Sequence, residues 1–376
     1  MKISIYILAL VALFSVLSGS QTHANGEHVS SRTLVKGARI VKSGLRRSFL
    51  APRLHFAPDN ATLATLDLHD QALCLWHTSD LKVLFRLESR KTMCGPLLFT
   101  PDASILAVGC RNAEVELWDV ATGKLLKTLR YNKRRHSDTS CLAVSPDSVT
   151  LAAATHNTIA LWDVPEGKLK QTMSSHSTVV EEMVFTPDGN AIVSGEDGGV
   201  VKWWNARTGK LTKTLCQRPE WVGIIALSPN AQTMATSRDF GLTLWDVETG
   251  TLLRKLTKVG YYVGIFAADG KTLVQRGAAD HNTAALTFWD VQTGKKKQTF
   301  ALPNVIYNDA YSIAISPQSS IIATGDETGT IKLWHIEESQ GHANNNRLNR
   351  DRNAPRGAHQ QVTGHARHTQ KSRPYF

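Results

Sequence analysis

Residues 141–173 read CLAVSPDSVTLAAATHNTIALWDVPEGKLKQTM. Cys141–Val144 is a short apolar run, and Pro146-Asp147 after it is a turn signal. Leu151–Ala154 forms a second run and Thr158–Trp162 a third, which ends on Trp-Asp. Pro165-Glu166-Gly167 turns the chain again, and Lys168–Met173 is a fourth, more polar run. The first three show little polar alternation, as expected of strands covered on both faces. The fourth carries Lys and Gln, as an outer edge does. The stretch therefore predicts a four-stranded antiparallel sheet whose outermost strand faces water.

This unit recurs. Trp76, Trp118, Trp162, Trp204, Trp245, Trp289 and Trp334 stand 41–45 residues apart, each ending an apolar run. Asp follows at 119, 163, 246 and 290. A Gly turn comes next at Gly123, Gly167, Gly209, Gly250 and Gly294. A second turn lies upstream, at Pro58-Asp59, Pro101-Asp102, Pro146-Asp147, Pro187-Asp188-Gly189, Pro229-Asn230, Asp269-Gly270 and Pro317-Gln318. Seven copies in register, from about Val35 to Ile336, resemble the WD40 repeat family. The resemblance implies an all-β fold, a seven-bladed β-propeller of four-stranded antiparallel blades, with each Trp packed between neighbouring blades. The family often links a His, a Ser or Thr, an Asp and the Trp in one blade. Here His136 and His176 stand at the His place and Asp239 at the Asp place, but no blade shows all four. His77, Asn205 and His335 replace the Asp that usually follows the Trp.

After Trp334 the chain gives His335-Ile336 and turns polar, so the last unit lacks an outer strand. Gly37 lies 21 residues before Pro58, close to the spacing of Gly123, Gly167 and Gly209 from their prolines. Ala38–Leu45 is therefore expected to close the last blade as its outer strand and remove the open edge.

The two ends differ from the body. Ile3–Leu17 is almost wholly apolar after Met1-Lys2, and small residues follow near Ser20 and Ala24. Residues 1–24 read as a secretory signal peptide, with 25–34 as a linker. An uncleaved anchor is the rival reading, but about 15 helical residues reach only ~22 Å of a ~30 Å hydrocarbon core. The expected location is exported, either periplasmic or extracellular. The net charge is +11. Residues 25–53 and 341–376 each hold seven Lys or Arg against one acid, which leaves the body, 54–340, at −2. A basic groove for nucleic acid is therefore not indicated, and a polyanion would meet only the ends. Residues 339–376 are poor in apolar side chains and are expected to remain a disordered tail beyond a propeller of 35–338. Cys74, Cys94, Cys110, Cys141 and Cys216 follow neither a zinc nor a disulfide spacing and read as buried small hydrophobes.

No nucleophile elbow, zinc-protease helix, phosphate loop, dinucleotide fingerprint or calcium loop occurs. Glu181 and Glu182 are strand neighbours that point to opposite faces. Asp280-His281 sits in the stretch Gln275–Ala285, which reads as the longest loop between inner strands. No cofactor or metal is expected, and the chain reads as a monomer and not an enzyme. The loops leading into innermost strands hold Arg134 and Arg135, Arg218 and Trp221, Tyr261 and Tyr262, and Tyr307 and Tyr311. Trp, Tyr and Arg dominate binding hot spots. The expectation is a secreted scaffold that binds a protein or peptide on this loop face. A propeller enzyme with a site at the channel mouth, or polyanion binding through the basic ends, is the alternative.

Overall fold

A computed structural model describes residues 35–42, 53–67, 71–89, 91–131, 138–174, 176–196, 199–217, 224–238, 241–257, 264–267, 269–278, 283–306, 312–316, 321–325 and 330–336. Its strands form seven four-stranded sheets, each antiparallel throughout. After β1 (Val35–Lys42), blade 1 is β2 (Arg53–Phe56), β3 (Thr62–Asp67), β4 (Ala72–His77) and β5 (Val83–Leu87). Blade 2 is β6 (Met93–Phe99), β7 (Ile105–Cys110), β8 (Glu114–Asp119) and β9 (Leu125–Arg130). Blade 3 is β10 (Thr139–Val144), β11 (Thr150–Thr155), β12 (Thr158–Asp163) and β13 (Leu169–Met173). Blade 4 is β14 (Val180–Phe185), β15 (Ala191–Glu196), β16 (Val200–Asn205) and β17 (Leu211–Gln217). Blade 5 is β18 (Ile224–Leu227), β19 (Thr233–Arg238), β20 (Gly241–Asp246) and β21 (Leu252–Lys255). Blade 6 is β22 (Gly264–Phe266), β23 (Thr272–Ala278), β24 (Thr283–Asp290) and β25 (Lys296–Ile306). Blade 7 is β26 (Ser312–Ile315), β27 (Ile321–Gly325) and β28 (Thr330–Ile336), completed by β1.

The blades bury their faces against each other. Trp118 packs with Leu66, Leu73 and Leu75 of blade 1, and Trp204 with Ile159, Leu161 and Met173 of blade 3. Trp162, Trp245 and Trp289 meet the preceding blade in the same way. The last apolar cluster joins Trp76, Phe56 and Leu63 of blade 1 to Ala314, Ala323, Ile331 and Leu333 of blade 7, with Ile265 of blade 6 packed on it. The ring thus closes through side chains as well as through a strand. Every residue of β3 is buried, whereas β21 is exposed along its length. This gradient follows the position of each strand within its blade.

The closing strand spans Val35–Lys42, three residues earlier than Ala38–Leu45. It pairs antiparallel with β28, and its register shifts between Lys36 and Arg39. The irregularity falls at Gly37, which the spacing argument took for a turn residue, and at Ala38, which it took for the first residue of the strand. The stretch Gln275–Ala285 also departs from expectation, because both of its ends are strand. Gln275 pairs with Thr287, and Gly277 with Ala285. Only 279–282, with Asp280 and His281, lies between β23 and β24, outside the described residues.

Where the residue after the Trp is Asp or Asn, it has a defined task. Asp119 Oδ1 accepts the Thr122 N–H at 2.7 Å, and Asp246 and Asp290 repeat this with Thr249 and Thr293. Asn205 does the same with Thr208 at 2.8 Å. Only an acceptor oxygen is needed to cap the turn, so Asn serves as well as Asp. At Gly123 the backbone φ is +66°, and an added Cβ would meet Phe85 of blade 1 at 2.6 Å. Glycine answers both the left-handed turn and the close approach of the neighbouring blade.

Candidate functional site

The strand directions divide the ring into two faces. Chain segments leading into innermost strands, here called inlets, share one face with the turns joining second and third strands. Turns joining first to second and third to fourth strands share the other. Arg134 and Arg135 fall between β9 and β10, and Arg218 and Trp221 between β17 and β18. Tyr261 and Tyr262 fall between β21 and β22, and Tyr307 and Tyr311 between β25 and β26. All eight lie in inlets and outside the described residues, as does His136; Asp239, between β19 and β20 and not in an inlet, also lies outside them. The described residues show what holds the inlets of blades 2, 3 and 4.

In blade 2 the buried Glu114, at the start of β8, receives Lys91 Nζ at 3.0 Å and the Arg130 guanidinium. Lys91 lies in the inlet of blade 2 and Arg130 is the last residue of β9, so one carboxylate ties that inlet to the ends of two strands. The Met93 N–H, where β6 begins, donates to Gln71 Oε1 of blade 1 at 2.6 Å. Tyr131, just after β9, hydrogen-bonds Thr155 of blade 3. Thr139 Oγ donates to the Glu114 carbonyl at 2.9 Å. The Val180 N–H, opening β14, donates to the His156 carbonyl at 2.7 Å.

In blade 4 the same work is done by Glu196. Its carboxylate accepts the Ser177 N–H at 2.8 Å, the Thr178 N–H at 3.3 Å and the Ser177 hydroxyl at 3.1 Å. Lys202 Nζ lies 3.7 Å away. Burial alone would raise this carboxyl, but the Ser177 and Thr178 amides, Lys202 and His176 outweigh it and hold its pKa low.

Glu196 also ends a buried relay. The Trp204 indole N–H donates to Ser194 Oγ at 2.7 Å, and Ser194 Oγ lies 2.8 Å from His176 Nε2. His176 Nδ1 lies 3.1 Å from Glu196. Desolvation, helped by Lys202, lowers the His176 pKa to about 4, so the ring is neutral at pH 7. The chain of bonds then assigns the tautomer: Ser194 donates to Nε2, and Nδ1–H donates to Glu196. Blade 4 therefore holds the complete four-member set that no blade showed in sequence, with Glu196 in place of Asp. A buried Ser-His-Glu chain has the residue types of an acyl-transfer triad. Ser194, however, is fully buried and its oxygen already accepts the indole N–H, so the relay fixes the inlet of blade 4.

The acceptor for the Trp is legible in the register. It is always two residues beyond the Trp's own partner on the second strand. Thr65, Thr236 and Thr324 occupy the place in blades 1, 5 and 7 and accept at 2.8–3.0 Å. Gln275 takes it in blade 6 and accepts the Trp289 N–H at 2.5 Å. Blade 2 has Val108 there, and the Trp118 N–H finds no partner among the described residues. Blade 1 adds a second anomaly. His55 of β2 is buried with its ring 5.8 Å from Phe99 of blade 2, and neither nitrogen makes a well-formed hydrogen bond. Desolvation lowers its pKa to about 4.

Cys74, Cys110 and Cys141 are buried free thiols, and burial raises the pKa of Cys74 and of Cys141. The side chains of Cys94 and Cys216 lie outside the described residues. Among the described residues, no group of three His, Cys, Asp or Glu is placed to hold a metal ion.

Seven four-stranded blades, each with a Trp on its third strand and five of them with a side-chain-capped turn after it, define a WD40-repeat propeller. The family described as NWD2 C-terminal beta-propeller matches residues 132–340, more than half of the chain, and the chain belongs to it. Among curated relatives, the anaphase-promoting complex subunit cdc20 of Dictyostelium discoideum is 27% identical over 133 residues, 35% of this chain and 26% of that protein. The small ribosomal subunit protein RACK1y of rice (Oryza sativa subsp. japonica) is 26% identical over 140 residues, 35% of this chain and 40% of its own. Autophagy-related protein 16 of Arabidopsis thaliana is 25% identical over 261 residues, 67% of this chain and 49% of that protein. The chain thus spans between a quarter and a half of these relatives.

Proposed function

We propose that this protein is an exported scaffold that binds a protein or peptide partner on its inlet face and performs no catalysis there. The observation that carries the reading is the pinning of described inlets to the ring. Glu114 and Glu196 fasten segments leading into blades 2 and 4 to strand ends, and a fixed loop loses less entropy on binding. The residue types in the neighbouring inlets are those of hot spots. Two relatives are named as parts of assemblies, an anaphase-promoting complex subunit and a small ribosomal subunit protein. Export rests on the apolar stretch Ile3–Leu17 and the small residues after it.

The test is a binding isotherm against a partner recovered from the exported fraction. Trp221→Ala, Tyr262→Ala and Tyr307→Ala are each expected to weaken binding by about 1–3 kcal/mol while the ring stays folded. Lys210→Ala, in a turn on the opposite face, is expected to leave it unchanged. Variants that fold and bind like the parent move the site off the inlet face. Recovery of the precursor in the cytosol overturns the export reading.

A further inference from the structure

We infer that a cleft between blades 4 and 5, on the face opposite the inlets, is a binding site for a neutral carbohydrate. The cleft measures about 360 Å³ and is lined by Trp203, Thr186, Asp188, Asn190, Asn205 and Thr212, with Ala191 and Ala231 beside them. That volume falls within the range of small-ligand pockets, about 300–1,000 Å³.

Trp203 is out of pattern. The residue before the recurring Trp is Leu75, Leu117, Leu161, Leu244 and Leu333 in five other blades, and all five are fully buried. Blade 6 has Phe288, whose ring is covered edge-on by Phe300 at 5.2 Å. Trp203 is partly buried: it packs against the cluster of Val184, Val193, Val201 and Met234 and also lines the cleft. Blade 4 has Trp204 as well for its packing on blade 3. A second, larger ring that reaches the cleft wall sets blade 4 apart from the blades with Leu at this place.

The polar lining says what would lie on that face. Asp188 Oδ1 accepts the Thr186 hydroxyl at 2.5 Å and the Asn190 N–H at 3.0 Å, and Oδ2 accepts Asn190 Nδ2 at 2.8 Å. The Thr186 hydroxyl, followed by the Asn190 donors, holds this carboxyl below its usual range, so both of its oxygens are engaged by their neighbours. Asn205 Oδ1 is occupied by the turn, accepting Thr208 N–H at 2.8 Å. Asn190 Oδ1 and Asn205 Nδ2 remain, one acceptor and one donor, both uncharged. Two neighbouring hydroxyls of a sugar match them, since a hydroxyl both donates and accepts. The C–H face of a pyranose ring matches the indole that lines the cleft.

Two variants separate binding from folding. Trp203→Leu installs the residue of five other blades. Asn205→Asp keeps the capping oxygen, as Asp119, Asp163, Asp246 and Asp290 show, and replaces the Nδ2 donor by a charged acceptor. Full-length protein is titrated calorimetrically with glucose, galactose, N-acetylglucosamine and cellobiose, and with N-acetyl-arginine amide as a cationic control. At least one sugar is expected to bind. Each variant should keep its melting temperature and weaken that binding by about tenfold or more, the size of one lost stacking or hydrogen-bond contact. The inference is overturned by no sugar binding at concentrations up to about 10 mM. Unchanged affinity in both variants, or binding of the arginine derivative alone, overturns it equally.

Discussion

Blades 2 and 4 solve the same problem with different chemistry. Both bury a Trp against the preceding blade, Trp118 at 3% and Trp204 at 2% exposure. Blade 4 runs the indole N–H through Ser194 and His176 to Glu196, and that carboxylate holds the Ser177 and Thr178 amides. Among the described residues, blade 2 gives the indole N–H no partner and places Val108 where Ser194 would be. Its inlet is held from elsewhere, by Glu114 with Lys91, and Arg130 at the end of β9 shares that carboxylate. The ring therefore depends on the apolar body of each Trp, while the polar chains decide how firmly an inlet is held. Packing and pinning are separable.

Acid should expose the difference most strongly. His55, facing blade 2, and His176, in blade 4, both have pKa values lowered to about 4 by burial. Both are neutral when folded and would titrate near 6.5 when unfolded. The unfolded chain thus takes up protons first as pH falls. Stability is full above about pH 7 and drops as pH falls through 6.5 toward 4, by up to about 3 kcal/mol per histidine. His55→Leu, which copies Leu98 at the matching place in blade 2, should remove one share of this loss. Urea unfolding at pH 7.5 and 5 measures it, and an unaltered pH slope in His55→Leu contradicts the assignment.

A smaller effect separates the two indoles directly. Phe in place of either Trp removes the N–H and part of the ring. At blade 4 it also leaves Ser194 with a lost bond, so Trp204→Phe should cost about 1–2 kcal/mol more than Trp118→Phe. Equal costs would mean that the relay adds nothing to stability. Smaller still is the repair of blade 2. Val108→Thr offers the Trp118 N–H the acceptor used in blades 1, 5 and 7, and should raise stability by about 1 kcal/mol. A loss of stability in denaturant titration would show that the place cannot accept a hydroxyl.

Much of this was legible in the sequence because it repeats. The period of the Trp residues implied seven blades, and residues 141–173 marked the four strands of blade 3 to within two residues of β10–β13. What repeats less was read less well. The closing strand lies three residues from its expected place because a single irregular register, with no second copy, sets it. Gln275 reads as loop because it is polar, yet it is buried to receive the Trp289 N–H. The blade 4 relay was missed because an Asp was sought, and a Glu from the end of β15 reaches the same histidine. The apolar bias that identifies a strand carries no information on such a partner. The eight proposed binding residues stand in inlets whose lengths and sequences differ from blade to blade, where the repeat gives no register at all.

Amide hydrogen exchange in Glu196→Gln tests the separation of packing from pinning most directly. The change keeps the shape of the side chain and removes the charge that Ser177 and Thr178 bind. Protection at the Ser177 and Thr178 amides should fall by about tenfold or more, while the amides of β15 and β16 keep theirs. Protection lost evenly across blade 4, or lost nowhere, would contradict it.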